Sequence, residues 1–176
     1  MKRIIILLCL VAAFAFAPKA SAGINPFSAG SIIASVYSGL PTQFKGMRIP
    51  PIGITVEYGI SDFGHGEYGT IGAGVAYEAC KNRWSSEGEN YNILSMQLSP
   101  YACYRYFFNE SMEVHAKAGF GWNNYESPEV KDRRLNRVAM YEFVGASYFF
   151  TQSIAATAEL GWSGVALMHL GVTFAF

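Results

Sequence analysis

Apolar and polar residues alternate with a period of two along much of this chain. The alternation is clearest in residues 112–123, 154–163 and 165–176, where one face is apolar throughout. The charged and imidazole side chains of these segments all fall on the opposite face: Glu113, His115, Lys117, Glu159 and His169. Period-two alternation indicates β-strands with one apolar and one polar face. Each segment is about 10 residues long, which is enough for a tilted strand to cross a bilayer.

Five further segments alternate less regularly, and with them the pattern predicts eight strands. They comprise residues 28–38, 52–61, 68–79, 94–106 and 137–150, of which the first is the weakest. Their apolar faces leave the following polar residues on the other side: Glu57, Glu78, Gln97, Arg105 and Glu142. This assignment puts Gly145 and Ser147 on the apolar face, so a bulge or lipid-facing small residues are expected there. Pro100 also requires a bulge or an edge position, because proline has no N–H for the ladder.

The connections between these strands alternate in length. Three short connections, residues 58–63, 106–111 and 148–153, each hold aromatic residues before a polar turn. Three longer polar stretches lie between them, over residues 40–51, 80–92 and 124–136, and a very short fourth connection follows at 163–164. Short turns on one rim and long loops on the other are typical of an outer-membrane barrel. We expect one aromatic girdle before the short turns and a second one formed by Tyr77, Trp84, Trp122, Tyr125 and Trp162.

The first 22 residues have the pattern of a secretory signal peptide. Lys2 and Arg3 precede an uncharged run over residues 4–17, and residues 20–22 form an Ala-Ser-Ala cleavage site. The run is shorter than the roughly 20 residues of a transmembrane helix. We therefore predict removal of residues 1–22 and a barrel domain over residues 23–176, with an uncleaved anchor as the alternative.

Composition excludes several classes of protein. Hydrophobic residues make up 51% of the chain and charged residues 15%, against about 25% charged residues in soluble domains. Thirteen basic residues balance thirteen acidic ones, and loss of residues 1–22 removes three bases. The low charge argues against disorder and against nucleic-acid binding. Export permits a disulfide, but we place Cys80 and Cys103 at different heights on neighbouring strands and expect two free thiols.

The C-terminal residues carry a resemblance to a known family. The pattern His169-x-Gly171-Val172-x-Phe174-x-Phe176 looks like the C-terminal signal that the barrel-assembly machinery reads in outer-membrane β-barrels. With the strand and turn pattern, the chain resembles small eight-stranded outer-membrane proteins of the OmpA transmembrane-domain and OmpX type. The resemblance implies an all-β, antiparallel, up-and-down transmembrane barrel of eight strands in the outer membrane of a diderm bacterium. Both termini would be periplasmic, and the closed barrel would need no second copy.

The inward polar residues are the candidates for chemistry. They are Glu57, Glu78, Arg105, Glu113, His115, Lys117, Glu142, Glu159 and His169. Side chains fill the interior of an eight-stranded barrel, and a buried charge is costly unless it is paired. A hairpin symmetric about Gly164 would put Glu159 opposite His169, and Arg105 should lie across from Glu113 or His115. A salt-bridged plug is the favoured interpretation, and an ion path or narrow pore is the alternative.

An outer-membrane enzyme and a soluble ligand binder are weaker interpretations. Lipid A deacylases carry a His-x-Ser element, but none of the three histidines of this chain has serine two residues later. Pairing of His115 or His169 with Ser95 or Ser99 would be needed for hydrolysis. A lipocalin would also have eight strands, but its outward face would be polar. The sequence predicts no catalysis, no metal site and no cofactor.

A basic segment suggests contact with lipopolysaccharide. Residues 131–137 contain four bases, Lys131, Arg133, Arg134 and Arg137. Just outside the second girdle they would lie level with lipid phosphates, which arginine binds well. An ordinary solvated loop is the alternative, because acidic residues lie nearby. The long loops could also bind a surface partner, whose nature the sequence does not indicate.

Overall fold

Eight antiparallel strands form one closed barrel. The computed structural model describes residues 27–42, 46–63, 69–86, 89–109, 111–126 and 135–176. Each strand pairs with the next along the chain, and β8 pairs with β1 to close the wall. The strands are β1 (Ile32–Pro41), β2 (Met47–Phe63), β3 (Gly69–Ser86), β4 (Glu89–Asn109), β5 (Met112–Glu126), β6 (Leu135–Thr151), β7 (Ile154–Trp162) and β8 (Ala166–Ala175). The predicted all-β class, strand number and meander order are confirmed.

The wall of the barrel has an apolar outer face and a polar inner face. Successive side chains of a strand point to opposite sides, so the period-two pattern of the sequence becomes two surfaces. Large apolar side chains are exposed on the outside of every strand, for example Val36, Ile54, Val75, Leu98, Phe120, Val144, Leu160 and Leu170. None of the described residues belongs to a helix long and apolar enough to cross a membrane.

Several strands extend further than the alternation predicted. β3 and β4 remain paired up to Ser86 and Glu89, so the loop expected at residues 80–92 is wrong in its extent. Residues 58–63, expected as a turn, belong to β2. Period-two alternation needs one apolar side, so it does not mark the ends of a strand where both faces are polar.

The register of β6 differs from the prediction by one residue. Glu142 is exposed on the outer face, whereas Tyr141, Phe143 and Ser147 point inward and are buried. The prediction of an inward Glu142 is therefore wrong, because a one-residue shift moves every side chain to the other face. Gly145 consequently faces the interior, where an added Cβ would lie 2.8 Å from His115 Nε2.

Two other expectations about individual residues are corrected by the structure. β4 passes Pro100 without a register shift, since Val75 lies opposite Pro100 and the pairing with β3 continues on both sides. Only the ladder to β5 omits this position, so the missing N–H affects one neighbouring strand and no bulge is needed.

Tyr125 does not belong to the second aromatic girdle, because it lies on the inward-facing side of β5. Its hydroxyl accepts a hydrogen bond from Asn123 Nδ2 at 3.0 Å. The side chain of Trp84 lies outside the described residues.

Candidate functional site

The lower lumen, toward the short connections, contains a buried arginine between two glutamates. Strands β2, β4 and β5 place Glu57, Arg105 and Glu113 on the inner face, and all three are buried. Arg105 donates from Nε to Glu57 Oε1 at 2.8 Å and from a terminal nitrogen to Glu57 Oε2 at 2.9 Å. Its other terminal nitrogen donates to Glu113 Oε1 at 2.5 Å. The two-pronged contact with Glu57 is the geometry in which arginine binds carboxylates most strongly.

His115 connects this arginine cluster to the middle of the lumen. Its Nδ1 lies 3.0 Å from Glu113 Oε1, and its Nε2 lies 2.8 Å from Glu159 Oε1. Lys117 donates from Nζ to the same Glu159 oxygen at 2.6 Å. Arg105 lies directly opposite His115 in the β4–β5 ladder, which is one of the two pairings expected from the sequence.

His169 extends the network to β8 and β3. Its Nδ1 lies 2.8 Å from Glu159 Oε2 and its Nε2 lies 2.7 Å from Glu78 Oε1. The imidazole is stacked between the rings of Tyr37 and Phe143, with centroid distances of 4.0 Å on both sides. Glu159 lies opposite His169 in the β7–β8 ladder, as a hairpin symmetric about Gly164 requires.

The lumen network pairs every carboxylate with a basic side chain. The structure brings together eight of the nine residues that the sequence assigned to it, namely Glu57, Glu78, Arg105, Glu113, His115, Lys117, Glu159 and His169. Four basic side chains thus face four carboxylates. Such pairing offsets the several kcal/mol that each buried ion costs.

Aromatic side chains that the sequence did not single out fill the space beside the charges. Tyr101 and Tyr141 stack with centroids 5.3 Å apart, and Phe143 lies 5.0 Å from Tyr141. The Lys117 ammonium lies 5.3 Å from the centroid of Tyr101, a cation–π contact. Tyr101 could have been recognised from its inward position on β4, whereas the wrong register of β6 concealed Tyr141 and Phe143.

Phe27, five residues before β1, lies in the lumen at the end of the short connections. It is fully buried, and its ring centroid lies 5.1 Å from that of Phe149 and 5.9 Å from that of Phe107. The Arg105 guanidinium lies over the ring, 4.6 Å from its centroid. Thr70 Oγ1 donates to the Phe27 carbonyl oxygen and holds the segment in place. No periodic pattern includes Phe27, so its place in the lumen could not be predicted from the alternation.

Amide side chains occupy the lumen near the long connections. Gln97 Oε1 accepts a hydrogen bond from the Gly164 N–H at 2.7 Å, and Gln97 Nε2 donates to Ser99 at 2.9 Å. Asn123, opposite Gln97 in the β4–β5 ladder, is also fully buried. Apolar rings, ion pairs and amides therefore line the interior at three levels.

The remaining candidate residues lie outside this network. Gly171 and Phe174 belong to β8, and the Phe176 N–H donates to Ile32 O at 2.9 Å, at the seam between β1 and β8. Arg137 is exposed on β6. The other three bases of that segment, Lys131, Arg133 and Arg134, lie outside the described residues.

The described residues contain no arrangement that suggests hydrolysis or metal binding. Neither His115 nor His169 contacts a serine hydroxyl in this part of the chain; their nitrogens face carboxylates instead. No cluster of metal-ligating side chains occurs among the same residues. Cys80 and Cys103 are both free and buried, and they lie opposite Ser95 and Gly72 at different heights of the β3–β4 hairpin.

Comparison with solved structures identifies the same fold in outer-membrane barrels. The N-terminal barrel domain of Pseudomonas aeruginosa OprF aligns with a TM-score of 0.56 at 16% identity, over 84% of this chain and 98% of that domain. Ail of Yersinia pestis, solved with the heparin analogue sucrose octasulfate, gives 0.53 at 13% identity, over 85% and 100%. Neisserial surface protein A gives 0.51 at 14% identity, over 82% and 93%. No family model and no curated protein matches the sequence.

Proposed function

We propose that this chain is an integral outer-membrane barrel with a structural or surface-interaction role and no catalytic activity. The observation that carries the proposal is the combination of a closed wall, an apolar outer face and an inner face lined with paired charges. Lipid offers no hydrogen bonds to a backbone, so a sheet in a membrane must close on itself. A soluble lipocalin-like protein would expose polar side chains where this barrel exposes Ile, Val and Leu.

Export and assembly follow from the two ends of the chain. Residues 1–22 would act as a signal peptide, leaving residues 23–176 as the mature barrel with both termini in the periplasm. The terminal pattern of His169, Gly171, Phe174 and Phe176 would be read by the barrel-assembly machinery. Because the closed barrel satisfies its own backbone, a monomer is sufficient.

Gel mobility and conductance test this proposal. Outer-membrane fractions should contain a band that migrates differently before and after boiling, because a closed barrel resists detergent until it is heated. The purified protein in planar bilayers should give no steady conductance, because three layers of side chains fill its lumen. A soluble periplasmic protein without a mobility shift would contradict the membrane assignment, whereas steady channels would favour the narrow pore.

A second proposal concerns anionic partners at the long-connection rim. Every Lys and Arg of residues 23–176 outside the lumen lies in or beside a long connection, and Arg48, Arg83 and Arg137 are exposed there. Ail, which has this fold, was solved in complex with the heparin analogue sucrose octasulfate, and this supports the proposal that a polyanion binds here. We infer that the segment 131–137 contacts lipopolysaccharide phosphates.

Charge-neutralising variants test this contact. Replacing Arg133, Arg134 and Arg137 by glutamine should weaken binding to lipopolysaccharide micelles. Replacing Arg48 and Arg83, on the β2–β3 side of the rim, is the matched control. Unchanged affinity in the triple variant would end the proposal, and an equal loss in both variants would show that rim charge alone matters.

A further inference from the structure

The outer face of the barrel contains an apolar groove of about 630 Å³ across strands β4 to β8. Its lining includes small residues, Ala116, Ala146 and Ala158, next to large ones, Tyr104, Tyr106 and Leu160. Ala146 and Ala158 lie directly opposite each other in the β6–β7 ladder. The depression therefore arises where alanines replace the large apolar side chains found elsewhere on the wall. Its volume lies within the range of about 300–1,000 Å³ that is typical of ligand sites.

A carboxylate stands at one end of this groove. Glu142 lies two residues before Val144, a lining residue on the same face of β6, and two residues of a strand span about 7 Å. Its cross-strand neighbour on β7 is Trp162, the last residue of that strand. Tryptophan at the end of a membrane strand marks the level of lipid headgroups. Glu142 therefore lies at headgroup height, above a groove that extends toward the acyl chains.

The charge of Glu142 has no counterion among the residues that the structure describes. Within the described residues no hydrogen bond or ion pair involves its carboxylate, although all four lumen glutamates are paired. A carboxylate at the lipid face is stabilised by a cation nearby, and an ammonium group both neutralises the charge and donates hydrogen bonds. An apolar groove below an unpaired carboxylate is complementary to an amphiphile with a positively charged head.

We propose that the groove holds an acyl chain of a lipid whose primary ammonium headgroup pairs with Glu142. The inference rests on the proposed membrane location of the barrel. Ala116, Ala146 and Ala158 provide the space for the chain, and Glu142 selects the headgroup. A second copy of the barrel is a poorer occupant, because the same groove on both partners would bring two unpaired Glu142 carboxylates toward the interface.

Native mass spectrometry of lipid-bound protein tests the assignment. The full chain is reconstituted in vesicles with equal amounts of dioleoyl phosphatidylethanolamine and dioleoyl phosphatidylglycerol, then released in mild detergent. We expect one retained lipid, predominantly phosphatidylethanolamine. Ala158→Leu should reduce retention about tenfold, because the larger side chain occupies the space of the acyl chain. Ala73→Leu, an exposed alanine on the outer face of β3, is the matched control and should retain the lipid.

Headgroup selection is tested separately by Glu142→Gln. This variant should still retain a lipid but lose the preference for phosphatidylethanolamine over phosphatidylglycerol. Equal lipid retention by the Ala158→Leu and Ala73→Leu variants would overturn the groove assignment. The assignment would also be overturned if the unmodified protein were a dimer and Ala158→Leu made it a monomer. An unchanged preference in Glu142→Gln, or a preference abolished by EDTA, would overturn the ammonium pairing.

The same samples separate this inference from the proposed function. A heat-dependent mobility shift without a retained lipid would refute the lipid assignment to the groove and leave the proposed membrane location intact. Absence of both the shift and vesicle association would refute the membrane location, and the groove assignment with it.

Discussion

Replacing Lys117 by methionine tests whether the lumen charges form a structural network. Lys117 Nζ lies 2.6 Å from Glu159 Oε1, and both side chains are almost completely buried. Methionine keeps an apolar, unbranched side chain but removes the positive charge. Glu159 would retain His115 Nε2 and His169 Nδ1, each at 2.8 Å. The carboxylate thus loses one of three basic partners, and the lumen loses one positive charge.

The expected loss in the free energy of unfolding is about 3 kcal/mol. Removing one partner of a buried ion pair typically costs about 3–5 kcal/mol, and the remaining imidazoles place this site near the lower end. The lost cation–π contact with Tyr101, at 5.3 Å, adds a fraction of this. Urea unfolding in lipid vesicles, followed by tryptophan fluorescence and by the gel mobility shift, measures the change.

A matched lysine and a double variant complete this experiment. Lys81→Met removes the same charge from the outer face of β3, where Lys81 is only half-buried, and should leave the unfolding midpoint nearly unchanged, because charges in contact with solvent contribute little. Adding Glu159→Gln to Lys117→Met should recover part of the loss, since the two residues act as a pair. Coincident midpoints for Lys117→Met and Lys81→Met would refute the reasoning.

Three further predictions concern the plug, the wall and the thiols. Phe27→Ala should lower the free energy of unfolding by about 3–5 kcal/mol, the usual cost of deleting a buried aromatic ring; an unchanged midpoint in urea would show that Phe27 is not part of the core. Glu113→Leu should lower the free energy of unfolding by about 3–5 kcal/mol. Glu142→Leu should lower it by less than about 1 kcal/mol, because charges near the interface contribute little. Similar losses for the two variants in the same assay would contradict the register of β6. Cys80 and Cys103 should not react with maleimide in the folded barrel and should both react in denaturant, and mass spectrometry that shows labelling before unfolding would argue against their burial.

Much of the fold could be predicted because alternation of apolar and polar residues is a physical consequence of a barrel wall. A strand that borders lipid on one side and a closed lumen on the other must alternate at every position. The segments 112–123, 154–163 and 165–176 meet this condition without exception, and their strands lie where the pattern places them. The pattern fails at the far ends of β3 and β4, which remain paired up to Ser86 and Glu89. Where water contacts both faces of a strand, neither face needs to be apolar, and the local sequence no longer indicates the pairing.

The candidate site could be predicted wherever the sequence showed which alternate residues of a strand point into the lumen. Glu159 and His169 could be paired from the position of one turn residue, because a tight hairpin fixes the register. The contribution of Phe27 could not be predicted, because it precedes β1 and reaches the lumen through tertiary contacts with Phe107 and Phe149. Such contacts depend on the shape of the closed barrel, which no local pattern encodes.

Charge balance alone could have corrected the placement of Glu142. An inward Glu142 would give the lumen five carboxylates against two permanent cations and two imidazoles, so one carboxylate would remain unpaired at a cost of several kcal/mol. With β6 shifted by one residue, Ser147 turns inward and its hydroxyl donates to Glu113 Oε1 at 2.7 Å. The shift therefore replaces an unpaired buried charge with a hydrogen bond and moves the surplus carboxylate to the interface, where it costs little. The carboxylate left outside by this balance has no partner among the described residues, and an ammonium lipid in the groove beside it would supply one.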